Sequence, residues 1–141
     1  MNEFQVDIVS AESEIYSGLC HKLFVTGIEG ELEIRHNHTP LLTMLAPGQI
    51  WLKDSKGKET GFVVLGGILE VQPKISVVLA DSVIRAEDID LEAAKKAKLE
   101  AEKSIQDSHG KSVSYQEAHQ KIASTLAQIR ILNRLRKIKN K

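Results

Sequence analysis

Apolar and polar residues alternate along most of the first 86 residues, and this period of two predicts β-strands. Phe4, Val6 and Ile8 alternate with polar residues and should form one buried face. Six further apolar runs follow, at 23–26, 32–34, 49–53, 62–65, 68–71 and 75–80. Residues 54–57 (Asp-Ser-Lys-Gly) separate two of these runs and predict a hairpin turn. Short strands punctuated by turns are typical of an all-β sandwich or barrel.

The apolar period changes to about 3.6 residues after Ala86, which predicts helix. A first helix is predicted over about 88–106, with Asp88 as its N-cap and Ala, Lys and Glu as its main residues. Gly110 then provides a residue that can end the helix in the left-handed conformation. The residues that share the narrow apolar face of this helix are Leu91, Ala94, Lys98, Ala101 and Ile105.

A second helix is predicted over about 114–138, and it begins with the capping box formed by Ser114 and Glu117. Because the connection is short, the two helices should lie antiparallel as an αα-hairpin. Residues 1–86 and 87–141 are therefore predicted to form two domains, a β-rich one followed by a helical hairpin. The inward-facing stripe of the second helix is predicted to contain Ile122, Leu126, Ile129 and Leu132.

The end of the second helix carries an additional apolar line beside that stripe, formed by Ile131, Leu135 and Ile138. No acidic residue follows Glu117. A helix that is apolar on more than one side and cationic throughout is poorly suited to lie against a single fixed surface, so we predict that it binds a partner. The cations interleaved with the apolar residues are Arg130, Arg134, Arg136, Lys137, Lys139 and Lys141.

The formal net charge of zero conceals a division between the two halves. Residues 1–88 contain 13 acidic and 7 basic residues, a net charge of −6, whereas residues 89–141 contain 6 acidic and 12 basic residues, a net charge of +6. This asymmetry predicts that the two halves attract one another or that the second half binds an acidic partner. No apolar run approaches the roughly 20 residues that span a bilayer. With one cysteine and no secretory leader pattern, we expect a cytoplasmic or organelle-interior setting.

Few residues suggest chemistry. His36 and His38 form an H-x-H pair that could grip a metal ion from a strand, but metal sites need three or four ligands and no matching motif stands nearby. Cys20 and His21 are neighbours on a predicted strand and should point to opposite faces. Since the imidazole then cannot activate the thiol, we expect Cys20 to be buried and structural.

The glycine-rich segments 27–31 and 66–67 lack the spacing of phosphate-binding loops and should be tight turns. Glu29, Glu31 and Glu33 have no partnered base and should form a solvated acidic loop. The sequence therefore predicts a binding protein without a catalytic site. Two other interpretations stay open: a module that binds nucleic acid or a membrane surface through its basic tail, and a small metalloenzyme that uses the H-x-H pair.

An ordered set of short motifs resembles the epsilon subunit of bacterial rotary ATP synthases. The motifs are Val-Thr-Gly at 25–27, Gly-Glu-Leu at 30–32, His-Thr-Pro-Leu-Leu-Thr at 38–43, Pro-Gly at 47–48, Gly-Gly-Ile-Leu-Glu-Val at 66–71 and Leu-Ala-Asp at 79–81. The resemblance extends from end to end. It implies a flattened antiparallel β-sandwich followed by an antiparallel two-helix hairpin, with no catalytic residue, metal or cofactor.

The resemblance also implies a mechanical role in the central stalk of a proton-translocating ATP synthase, at the cytoplasmic face of the bacterial plasma membrane. The sandwich would bind the c-ring through Glu29 and Glu31, and the gamma subunit through Ser10, His38 and Thr43. The hairpin would inhibit ATP hydrolysis by contacting gamma and the alpha/beta catalytic head. The resemblance implies no nucleic-acid partner, and membrane association only through the complex. The residues expected at the regulatory contact are Arg130, Ile131, Arg134, Leu135, Arg136 and Lys137.

One motif departs from the family pattern. Some members bind ATP at the hairpin through an I/L-D-x-x-R-A motif, and here residues 89–94 read Ile-Asp-Leu-Glu-Ala-Ala. Asp90 is retained, but Ala93 stands where the arginine belongs. With one phosphate-binding cation missing, we predict weak or absent nucleotide binding there.

Overall fold

The computed structural model describes residues 2–108 and 113–139, without the side chains of residues 104–116 and 135–139. Over these residues a β-rich part precedes two helices. The strands are β1 (Phe4–Ser10), β2 (Glu14–Cys20), β3 (Lys22–Gly27), β4 (Gly30–Arg35), β5 (Leu41–Lys53), β6 (Glu59–Val64), β7 (Gly67–Val71), β8 (Ile75–Ala80) and β9 (Val83–Arg85). The helices are α1 (Leu91–Ser108) and α2 (Val113–Lys139).

The strands form one hydrogen-bonded sheet that folds over itself, in the order β2-β1-β8-β7-β5-β3-β4, with β6 paired to β5 and β9 to β6. The long strand β5 joins the two layers: residues 41–45 pair with β7, and residues 48–53 pair with β6. Strands β1 and β8 run parallel, whereas the other pairs of described strands are antiparallel. The predicted antiparallel β-sandwich is therefore confirmed, with one parallel pair that the sequence did not indicate.

The core of the sandwich lies between the inner faces of the two layers. The predicted inward residues Phe4, Val6 and Ile8 are buried there, together with Phe62 and Leu69. Because side chains on a strand alternate between its faces, the intervening residues point to the outer surfaces. Those outer surfaces carry the features that matter for function.

The predicted turn at residues 54–57 is confirmed. Asp54 accepts hydrogen bonds at its Oδ1 from the amides of Lys56 and Lys58, each 2.9 Å long. Gly57 closes the turn with a φ of 86°, a conformation that glycine adopts without strain. These contacts join β5 to β6 as an antiparallel hairpin.

Three β segments were not predicted: β2, β9 and the first half of β5. Strand β2 lies at an edge of the sheet and leaves Leu19 exposed, so it lacks a clean alternation. Strand β9 is only three residues long. The first half of β5 leads directly into Pro47 and Gly48, which normally indicate a turn. Here they lie within the strand that passes from one layer to the other.

Helix α1 begins later than predicted, and its N-cap is not Asp88. Residues Ala86–Asp88 form a 3₁₀ turn instead. Asp90 is the cap, because its Oδ1 accepts hydrogen bonds from the amides of Glu92 (3.0 Å) and Ala93 (3.1 Å). The predicted apolar face of α1 is confirmed at Ala94 and Ala101, which are both buried.

Helix α2 begins at Val113, so Ser114 lies in its first turn. The side chain of Ser114 lies outside the described residues, whereas that of Glu117, its predicted capping partner, is exposed. Gly110 also lies outside the described residues. The four members of the predicted inward stripe are partly buried, and Leu132 packs against the sheet. Helix α2 packs against both α1 and the sandwich, so its most buried side chains lie at other positions. Among the described side chains of α2, the buried ones are Ala118, Ser124, Thr125, Ala127 and Ile131.

Candidate interaction surfaces

One outer face of the sandwich is covered by its own helix. Trp51 on β5 and Val63 on β6 form a second apolar cluster with Ala127 and Ile131 of α2, separate from the inner core. Ile131 is fully buried in this cluster. In this conformation the sheet therefore covers Ile131, and the predicted contact of Ile131 with a partner stays a prediction for an undocked helix.

The same contact includes charge. The Arg134 guanidinium carbon lies 4.8 Å from the centroid of the Trp51 ring, within the range of a cation–π interaction. Its Nε lies 3.6 Å from Oε2 of Glu59 on β6. Arg130 is exposed one turn earlier. Of the predicted regulatory residues, Leu135, Arg136 and Lys137 have side chains outside the described part of the chain.

The opposite outer face carries exposed apolar residues. Met44 on β5 pairs with Ile68 on β7, which pairs with Leu79 on β8, which pairs with Val9 on β1. Paired residues in neighbouring strands share a face, so these four form a line across four strands. Leu42 lies two residues before Met44 on the same face and is 71% exposed. We call Leu42, Met44, Ile68 and Leu79 the exposed apolar face, and the partly buried Val9 lies at its edge.

The sequence reasoning missed this face, although a signal was present. The segments 41–45, 68–71 and 75–80 each contain apolar residues at adjacent positions, which lie on opposite sides of a strand. Such runs are typical of strands buried on both faces. Large apolar patches on a protein surface mark sites of interaction, so this face is a candidate binding surface.

The residues predicted to contact gamma are not brought into one cluster. Ser10 ends β1 beside Ala80, and its hydroxyl accepts hydrogen bonds from the amides of the following turn. His38 lies at the opposite end of that layer, near the β7–β8 turn, because the amide of the preceding Asn37 donates to the carbonyl of Pro73. Thr43 pairs with the buried Leu69, so it belongs to the other side of β5 from Leu42 and Met44.

The residues predicted to contact the c-ring lie at one tight turn. Strands β3 and β4 join through Ile28 and Glu29, and Glu31 follows directly on β4. All three are exposed, and the amide of Ile28 donates to the carbonyl of Met44 at 3.1 Å. The acidic turn is thus hydrogen-bonded to the edge of the exposed apolar face.

Glu33 is exposed but differs from its acidic neighbours, since it forms ion pairs with Lys22 (3.2 Å) and Arg35 (3.4 Å). The hydrogen bond from Lys22, followed by the charges of both cations, lowers the pKa of the Glu33 carboxyl. Its charge is therefore partly compensated within the sheet. Glu29 and Glu31 are left as the acidic tip of the turn.

The candidate chemical residues adopt structural roles. Cys20 is fully buried, as predicted, and burial raises the pKa of its thiol to about 12. His36 and His38 lie in the turn after β4 rather than on a strand, which corrects the premise of the H-x-H metal site. Within the described residues, no group of His, Cys, Asp or Glu is arranged to hold a metal ion.

Asp90, the acidic residue retained from the nucleotide motif, already caps helix α1. Both hydrogen bonds of Asp90 described above go to amides of α1, and Ala93 supplies no cation. Neither helix, in the part of the chain that the structure describes, has an apolar stretch long enough to cross a bilayer.

These features define a two-module binding protein: a β-sandwich with one outer face covered by a helical hairpin and the other exposed and apolar. Residues 3–86 match the model of the ATP synthase delta/epsilon chain β-sandwich domain, and residues 87–133 match the long α-helix domain of the same chain.

Known proteins with similar sequences agree. The chain is 48% identical over 132 residues to the ATP synthase epsilon chain of Nitrosococcus oceani, covering 94% of each chain. It is 45% identical over 137 residues to that of Stenotrophomonas maltophilia, covering 97% of each. The chain belongs to the ATP synthase delta/epsilon family, which confirms the resemblance.

The fold is shared with more distant structures. A chain in the Euglena gracilis mitochondrial ATP synthase, solved by cryo-electron microscopy with OSCP, F1 and the c-ring, has a TM-score of 0.78 and 22% identity. The match covers 89% of this chain and 80% of that one. At this identity the likeness concerns the fold alone.

Proposed function

We propose that this chain is a non-catalytic rotor subunit of a proton-translocating ATP synthase, in the central stalk at the cytoplasmic face of the bacterial plasma membrane. The curated relatives at 45–48% identity are ATP synthase epsilon chains. The observation that carries the proposal is the exposed apolar face beside an acidic turn, on the other side of the sandwich from the hairpin. Such a molecule can hold two partners while its hairpin moves.

The exposed apolar face is the proposed site for gamma. Met44 and Leu79 are 59% and 54% exposed, so a partner surface can still bury about half of each side chain. Burial of apolar surface is the main source of affinity between subunits that stay associated. Ser10 and His38, the gamma contacts inferred from the family, would then flank this face at the two ends of its layer, whereas Thr43 lies on the other side of β5.

The acidic turn is the proposed site for the c-ring. Glu29 and Glu31 are exposed at the tip of the β3–β4 hairpin, and their negative charge is complementary to that of basic polar loops. Exposed ion pairs contribute only about 0.2–1 kcal/mol each, so this contact should set orientation and depend on salt.

The hairpin is the proposed regulator of ATP hydrolysis. In the described conformation α2 is docked on the sandwich, with Ile131 buried and Arg130 facing solvent. Extension of α2 toward gamma and the catalytic head would expose Ile131 and free Arg134. The tail residues Leu135, Arg136 and Lys137 would add apolar and cationic contacts to that partner surface.

Reconstitution of an epsilon-depleted ATP synthase with the intact chain and with a chain ending at about residue 111 tests this function. We expect both to restore coupled synthesis, because the sandwich carries the gamma and c-ring contacts. The truncated chain should give faster ATP hydrolysis, because it lacks the inhibitory helix. If complexes with the intact and the truncated chain hydrolyse ATP at equal rates, both with and without a proton gradient, the regulatory part is refuted. Failure of either chain to join the complex would refute the rotor part.

A further inference from the structure

We propose that five side-chain positions form a latch that decides how much of the hairpin is docked on the sandwich. The latch consists of Trp51, Glu59 and Gly61 on the sheet and Ile131 and Arg134 on α2. Its regulatory meaning rests on the proposed function, but its existence as a docking contact does not. The relevant partner is an internal one, so the latch can be tested in the isolated chain.

The first part of the latch is a hole in the sheet surface. Trp51 and Gly61 are directly opposite each other on β5 and β6. A Cβ atom at Gly61 would lie 2.8 Å from Cδ1 of Ile131 and 3.0 Å from two carbons of the Trp51 ring. The missing side chain of Gly61 therefore provides the space that the Ile131 terminal methyl group fills. With Ile131 fully buried, a methyl group at Gly61 must displace the end of the Ile131 side chain, the indole ring or α2.

The second part is an electrostatic clamp over the same ring. Arg134 stacks on Trp51 and forms an ion pair with Glu59, whose side chain is only 14% exposed. The Oε2 atom of Glu59 is buried and has no hydrogen-bond partner, since the 3.6 Å separation from Arg134 exceeds hydrogen-bond length. A carboxylate with so little water depends on a nearby cation. Release of α2 would remove that cation and return Glu59 to solvent.

The latch is separable from the rest of the fold. Trp51 and Ile131 belong to the small cluster on the outer face, whereas Phe62 and Cys20 belong to the core between the layers. Opening the latch would thus expose the outer face without disturbing the inner core. Arg134 and Ile131 are also among the residues expected to contact gamma or the catalytic head. One pair of side chains cannot do both, so docking and inhibition would exclude one another.

The chain contains one reporter for each cluster. Its only tryptophan, Trp51, lies in the latch, and its only cysteine, Cys20, lies in the inner core. Urea titrations of the full chain can follow Trp51 fluorescence and thiol labelling of Cys20 in parallel. Arg134→Gln is the main variant, and Gly61→Ala tests the hole. Arg130→Gln is the matched control, because it removes the same charge from an exposed position on the same helix.

We expect Arg134→Gln and Gly61→Ala each to shift the docked-to-undocked ratio about tenfold toward undocking. The Trp51 transition should move to lower urea while the Cys20 transition stays in place. Arg130→Gln should move neither transition. The latch is refuted if Arg134→Gln and Arg130→Gln shift the Trp51 transition equally, or if both reporters move together in Arg134→Gln. Should Gly61→Ala fail to fold, the comparison of the two arginine variants still decides.

Hydrolysis by the reconstituted complex separates the latch from the proposed function. If the latch and the regulatory role are both correct, Gly61→Ala should slow ATP hydrolysis relative to the intact chain, because more of the hairpin is undocked and able to inhibit. A shifted Trp51 transition with unchanged hydrolysis would leave the latch standing and remove the regulatory role.

Discussion

Replacing Ile68 with glutamate should separate assembly from folding. Ile68 lies in the middle of the exposed apolar face and is 43% exposed in the free subunit. The change places a carboxylate at the centre of the surface proposed to meet gamma. Because Ile68 points outward, the isolated sandwich should lose no more than about 1 kcal/mol of unfolding free energy.

The loss of affinity can be worked from exposure. Full burial of a large apolar side chain is worth about 1.5–3 kcal/mol, so completing the burial of four half-exposed ones contributes about 4 kcal/mol. Ile68→Glu removes about 1 kcal/mol of this and adds a desolvated, unpaired charge that costs about 2 kcal/mol or more. The total of about 3 kcal/mol corresponds to a Kd raised about a hundredfold.

Titration of labelled subunit into epsilon-depleted F1, read by fluorescence anisotropy, measures this Kd. Leu99→Glu is the matched control, because it makes the same kind of change at a 66% exposed position on α1, outside the apolar face. It should leave the Kd unchanged. An Ile68→Glu variant that is folded and binds F1 as tightly as the control would show that gamma does not use this face.

Three other changes test separate parts of the structure. Glu31→Gln should weaken assembly with the c-ring by a few-fold at low salt and less at high salt, since exposed ion pairs are screened; equal co-purification with wild type at all salt concentrations would contradict the c-ring assignment. Burial raises the pKa of the Cys20 thiol to about 12, whereas the thiol of the unfolded chain ionises near its ordinary pKa of about 9. The contribution of Cys20 to stability is therefore complete below pH 9 and lost as pH rises from about 9 toward 12, so urea titrations should show a shallower alkaline decline for Cys20→Ala than for wild type. Gly67→Ala should cost about 3 kcal/mol or more, because φ is 146° and a Cβ would lie 2.2 Å from the Leu79 carbonyl oxygen. Gly57→Ala is its control, with a φ of 86° and open space at the Cβ position, and should cost only about 1 kcal/mol by thermal denaturation.

The sequence by itself determined the inner architecture. Alternation at Phe4, Val6 and Ile8 was enough to place these residues in the core, and residues 54–57 carried the turn chemistry that forms the β5–β6 hairpin. These predictions succeeded because the periods of strands and helices are local properties of the chain. Locality also limits such predictions. Asp88 and Asp90 offer equivalent caps in the sequence, and only the structure shows that Asp90 caps α1.

Only the tertiary structure decided which outer face is covered. Ile131 has the pattern of a residue free to meet a partner, yet it is buried because Gly61 and Trp51 form a hole that accepts it. Leu42, Met44, Ile68 and Leu79 become one surface only through the register of β5, β7 and β8. Periodicity states which residues share a face of one element. Which faces meet depends on contacts between residues distant in sequence, and those contacts assign the hairpin to one side and leave the other apolar side exposed.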